Sequence, residues 1–266
     1  MITLIRTQWR ALITTRMWWI LLVIMMAVVA GMAALIGLAL TLAPDSAQAT
    51  ASRPDDLTLA MTVYTMDVSL GYVFPVTLGA LHMTGEYRYR TIDTTLLLAP
   101  SRSRLILAKA ASVVPMGLLY GAAAMVSGLT AGVAALAIGG QPLELGDSQV
   151  WRALVLGLVV LCLWMVIGVG FGCSLRNQVA AVVTLLAFTQ FIEPLLRVGL
   201  GSWSPTQSIQ MFLPGAAGEA AVGASFYSTA GVNGLLPWWA GLLVLLGYAM
   251  AAGAIGRVTT LRRDIT

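Results

Sequence analysis

The chain reads as an all-α polytopic membrane protein, and three observations predict it. Long stretches carry no charge: Met17–Pro44, Ala110–Leu143, Ala153–Leu175, Asn177–Ile192 and Ala220–Gly256, with Leu57–Gly85 interrupted by Asp67. Hydrophobic residues make up 59% of the 266 and charged ones 10%, a composition unlike that of soluble domains. Twelve of the fifteen Lys and Arg residues can be placed on one side of a membrane by those runs alone. A helix needs about 20 apolar residues to cross a hydrocarbon core of about 30 Å.

Six spans follow, at about 17–42, 61–83, 106–138, 150–172, 178–197 and 235–257. Before the first, Ile2, Ile5, Trp9, Leu12 and Ile13 repeat at helical spacing beside Arg6 and Arg10, the pattern of an amphipathic helix lying in the membrane interface. Thr14, Thr15 and Arg16 supply a polar hinge after it. Pro75 and Pro115 are expected to kink spans two and three. Trp18, Trp19, Trp151, Trp238 and Trp239 stand at span ends, as interface anchors do. Gly117-x-x-x-Gly121, Gly128-x-x-x-Gly132 and Gly168-x-x-x-Gly172 permit close helix approach.

Basic residues sort by side. Arg6, Arg10, Arg16, Arg88, Arg90, Arg102, Arg104, Lys109, Arg176, Arg257, Arg262 and Arg263 fall on one face, and the acids Asp45, Asp55, Asp56, Glu144, Asp147 and Glu219 on the other. Short basic loops stay in the cytoplasm, so both termini are expected inside. The first span begins too late and runs too long for a cleaved signal peptide. Fourteen Arg against one Lys points to a GC-rich bacterial genome, and hence to the bacterial cytoplasmic membrane. The chain divides into 1–16 (interfacial helix), 17–83 (spans one and two), 84–104 (cytoplasmic segment), 105–197 (spans three to five), 198–234 (outer region) and 235–266 (span six and tail).

The segment 84–104 is the longest charged inside loop. Pro100 breaks helical geometry, and Ser101 or Ser103 can cap a new helix carrying Arg104 and Lys109 into span three. With Leu96, Leu97 and Leu98 beside the charged Glu86–Arg90 head, it reads as two short helical pieces and a turn. Such a surface suits lipid headgroups or a soluble partner.

Enzymatic chemistry has little to work with. There is no G-x-x-x-x-G-K-[ST] loop, and the sole Lys, Lys109, lies in Leu107-Ala-Lys-Ala110. The one histidine, His82, reads as an interfacial residue near Glu86. Cys162 and Cys173, eleven residues apart on one helix, lie beyond disulfide reach at about 16 Å. No metal, cofactor or nucleic-acid site is expected. Ionisable groups inside a membrane are functional candidates by default, since a charge at midplane costs roughly 3 kcal/mol. Asp67, near the outer end of span two, and Glu193 with Arg197, one turn apart and able to pair near the outer interface, are those candidates. They read as an outer gate or dimer contact, or as local capping and snorkelling.

Glu86-Tyr87-Arg88-x-x-Thr91, then Leu97, Pro100, Ser103-Arg104 and Lys109, resembles the signature of ATP-binding cassette type-2 transporter permeases. Arg90 stands where that family commonly has Gly before the Thr. Met211-Phe-Leu-Pro-Gly-Ala-Ala-Gly-Glu-Ala220 resembles the family's short re-entrant helices between the last two spans. The resemblance implies that 84–104 forms coupling helices docking on a separate ATPase subunit, two copies of which hold ATP and Mg. It also implies a second permease chain, identical or related. It marks Glu86, Tyr87, Arg88, Arg90, Thr91, Pro100 and Arg104 as the ATPase-coupling interface, with Arg104 and Lys109 alternatively fixing the hairpin to headgroups or carbonyls. The function implied is export of a hydrophobic or amphipathic cargo, whether drug, antimicrobial peptide or lipid-like. Two alternatives remain: an ion-coupled secondary carrier using Asp67 and Glu193, and a membrane anchor or sensor with no transport path.

Overall fold

The computed structural model describes residues 2–42, 55–89, 102–175, 177–201, 206–227 and 234–261. Every regular element among them is helical: α1 (Ile2–Ile13), α2 (Met17–Leu42), α3 (Asp56–Tyr64), α4 (Val73–Arg88), α5 (Arg102–Ile138), α6 (Ser148–Ser174), α7 (Gln178–Ala187), α8 (Glu193–Gly201), α9 (Gln207–Gln210), α10 (Pro214–Val222) and α11 (Trp238–Leu261). Two π-helical turns, Asp67–Gly71 and Phe188–Ile192, join α3 to α4 and α7 to α8. With those joins, six helical stretches among the described residues are long and apolar enough to cross a membrane: Met17–Leu42, Asp56–Arg88, Ser103–Ile138, Ser148–Ser174, Gln178–Gly201 and Trp238–Val258. The chain is a multi-pass membrane protein.

The span positions agree with the sequence reading, and their ends extend it. Span two starts at Asp56 and reaches Arg88, because Asp55 caps its first turn by accepting from the Thr58 amide at 3.4 Å. Asp147 and Asn177 cap α6 and α7 in the same way, through the amides of Gln149 (2.7 Å) and Val179 (2.9 Å). Helix α5 runs unbroken through Pro115. In span two the irregularity lies upstream of Pro75, in the Asp67–Gly71 turn; proline cannot donate to the carbonyl four residues back, so the preceding backbone is released from α-helical pairing.

The interior is built where α4, α5 and α6 cross. A Cβ on Gly79 would collide with the Met165 carbonyl, and one on Gly168 with the Val76 carbonyl, so the backbones of α4 and α6 touch. Gly117 and Gly121 lie against the Cα atoms of Cys162 and Leu158, 2.8 and 2.7 Å from where a Cβ would sit. Gly132 makes the equivalent approach to the Tyr64 ring of α3. The small-residue pairs noted in the sequence therefore serve helix crossings within this chain. Cys162 and Cys173 are both free thiols, buried in α6. Around this centre α2, the α7–α8 span and α11 expose broad apolar faces.

Helix α1 forms as its periodicity requires and turns at Thr14–Arg16. Its stripe is partly consumed by the protein: Leu12 is buried and Trp9 packs on the core, while Ile2 and Ile13 stay exposed. Trp18 is half-buried, with its indole N–H on the Ile13 carbonyl at 3.0 Å. Trp19, Trp151, Trp238 and Trp239 are exposed, as anchors must be.

Candidate functional site

Among the described residues, buried ion pairs form at two places, one at each end of the bundle. At the first, the end of α4 meets the start of α5. Lys109 is fully buried and pairs with Glu86 at 2.8 Å. Its ammonium also donates to the His82 carbonyl at 3.2 Å. The Ser112 hydroxyl donates to the Lys109 carbonyl at 2.8 Å and lies 3.5 Å from His82 Nε2. Spacing along α4 aligns His82 with Glu86, and along α5 Lys109 with Ser112, so each helix presents one polar edge to the other. A lysine can be buried here because its charge is matched and its N–H bonds have acceptors.

Lys109 thus bonds a carbonyl, one of the two destinations expected for it, but it reaches no headgroup. Glu86, expected to contact an ATPase partner, is 12% exposed, and its Oε2 accepts no hydrogen bond among the described residues. Arg88 and Arg104 are exposed and Tyr87 is half-buried. Arg88 donates to Gln178 of α7 at 3.1 Å and lies over the Tyr89 ring. Arg90, Thr91 and Pro100, with Leu96–Leu98, lie outside the described residues.

The second cluster joins α8 to α10. Pro214 at its first turn and Gly223, left-handed at φ 79°, delimit α10, and every residue between them is buried. That helix carries Glu219, 1% exposed. Arg197 donates to Glu219 Oε2 at 2.8 Å and reaches Glu193 at 3.5 Å. Ser69, from the first π turn, donates to Glu219 Oε1 at 2.7 Å, and Ser225 donates to Oε2. The Gly215 amide donates to Glu193 Oε1 at 2.5 Å. A Cβ on Gly215 would stand 2.6 Å from that oxygen, so glycine is what lets α10 sit against α8. Tyr227 stacks under the Arg197 guanidinium at 4.6 Å.

The expected Glu193–Arg197 pair therefore exists, but Glu219 is the closer partner. Arg197 is 4% exposed, so its guanidinium is enclosed by the protein. Its charge is held inside because two carboxylates surround it. Span two begins at Asp56, five residues before the sequence reading, which puts Asp67 about 16 Å along it. Asp67 is 3% exposed and lies beside Gly157 of α6, separate from the Arg197 cluster. Ser69, Ser225, Tyr227 and Glu219 were not singled out as site residues. The signal for Glu219 was present: one carboxylate within the small-residue run Pro214–Val222. Among the described residues, no three or more His, Cys, Asp or Glu converge as a metal site.

No known family model matches the chain, and no curated protein matches it.

Proposed function

We propose that this chain is the membrane subunit of an ATP-driven exporter of the ATP-binding cassette type-2 class, inserted in a bacterial cytoplasmic membrane with both termini inside. Two such chains, identical or related, enclose a path for a hydrophobic or amphipathic cargo, and two separate ATPase subunits carry ATP and Mg. Helix α1 lies at the inner interface, and α9 and α10 are short re-entrant helices of the outer leaflet. The observation that carries the reading is the Lys109–Glu86 clamp. It ties together the helices on either side of segment 90–101, so force applied to that segment reaches spans two and three as one lever. The resemblance of Glu86–Lys109 to coupling segments supplies the class, and six apolar spans meet its architecture.

Arg88 is the residue to test, since it is exposed and can be altered without uncovering Lys109. Arg88→Ala should lower ATP-dependent export while insertion and thermal stability stay unchanged. Unaltered export would remove Arg88 from the coupling interface. An Arg88→Cys variant should react with a membrane-impermeant thiol reagent from the cytosolic side only. Labelling from outside would sink the reading. Burial of Asp67 and Glu193 inside the protein favours a second reading, an ion-coupled carrier. Collapse of transport by an uncoupler while ATP stays high would select it.

A further inference from the structure

We propose that Glu193 binds one exchangeable monovalent positive charge, a proton or an alkali-metal ion, that neutralises the buried Glu193–Arg197–Glu219 unit. The inference rests on the membrane placement of the chain and not on export.

Two carboxylates and one guanidinium leave a formal charge of −1, and both ion pairs of these acids run to Arg197. Among the described residues, the other polar groups facing them are uncharged: Ser69 and Tyr72 from span two, Ser225 and Tyr227 from the segment after α10, Tyr248 from α11, and Gln210, which lines a neighbouring cavity. The hydrogen bonds locate the excess. Glu219 is saturated, with donors from Arg197, Ser69 and Ser225. Glu193 Oε1 has the Gly215 amide and a 3.5 Å contact to Arg197, and the Ala216 amide also faces the carboxylate. Glu193 Oε2, on a residue 1% exposed, has no donor among the described residues. An uncompensated carboxylate in such a place is strongly disfavoured, and either a proton on Oε2 or a cation against it removes the penalty. A small cavity of about 10 Å³, room for one water, lies on the Glu219 side of the unit, lined by Arg197, Gln210, Ala216, Glu219, Ser225 and Tyr227 among others.

The test uses the full chain in lipid nanodiscs at neutral pH, with Asp67→Asn as the background so that Asp67 adds no signal. Infrared spectroscopy reads the protonated-carboxyl stretch. Thermal unfolding is followed in sodium, potassium or N-methylglucamine chloride. If the charge is a proton, Glu193→Gln removes one protonated-carboxyl signal and the salts are equivalent. If it is an alkali ion, melting rises in sodium or potassium over N-methylglucamine, and Glu193→Gln removes that rise. Glu219→Gln neutralises the unit by the other route and should abolish whichever signature is found. Should Glu193→Gln fail to insert, Arg197→Gln decides: a formal charge of −2 requires a second proton or ion. No Glu193-dependent carboxyl signal together with no salt dependence, or unchanged uptake in Arg197→Gln, overturns the proposal.

Discussion

The Tyr72 hydroxyl donates a 3.0 Å hydrogen bond to the carbonyl of Thr189. Tyr72 closes the π turn of span two, and Thr189 lies inside that of span five, so the irregular backbones of both spans are bridged by one side chain. Wide turns have poorly paired carbonyls, and such turns recur where a helix must yield. The Tyr72 ring also stacks on Trp164 at 4.4 Å, which fixes the direction of its hydroxyl.

Tyr72→Phe keeps the stack and deletes the bond. The expected loss is about 1 kcal/mol, with faster amide exchange confined to the 188–192 turn and the residues flanking it. Exchange unchanged there would show that the bridge does not hold the turn.

Lys109→Met should destabilise the protein by about 3–5 kcal/mol, because it leaves the Glu86 carboxylate covered and unpaired. Adding Glu86→Leu should recover much of that loss. A double-mutant cycle of thermal unfolding measures the coupling. Additive losses would mean that the two charges are solvated independently.

Gly168→Ala places a methyl group into the Val76 carbonyl, which is backbone and cannot swing aside. A cost of about 1–3 kcal/mol is expected. Gly31→Ala, with nothing within 4 Å of its would-be Cβ, should be neutral or slightly stabilising. Equal melting temperatures for the two variants would contradict the α4–α6 contact.

The hydrogen bond from Thr58 holds the Asp55 carboxyl below its usual range. A lowered folded-state value stabilises the first turn of α3 above the unfolded value of about 3.9, and the support disappears as pH falls through the folded value. Protection of the amides of residues 57–59, measured against their intrinsic exchange rates at each pH, should therefore fall on acidification. Asp55→Asn should flatten that dependence.

The spans were legible because absence of charge over twenty or more residues has one physical explanation in water and lipid. The Glu193–Arg197 pair was legible because residues four apart share a helix face. Glu219 was not: it meets Arg197 across 22 residues with no common periodicity, and a lone acid after a basic-poor loop reads as exposed. Lys109 was legible in part, since a carbonyl was one of its two expected partners. Lysine near a span end signals topology, and only the crossing of α4 with α5 shows that it faces inward against Glu86. The π turns left no trace in the apolar pattern, since one extra residue per turn does not disturb a helix that is hydrophobic all round.

Span two has 78% of its apolar window covered by the rest of the chain, whereas spans one, five and six have 22%, 22% and 17%. With its backbone already against α6, span two has the least surface left to offer. Contact with lipid or with any neighbouring molecule therefore falls mainly to the outer three.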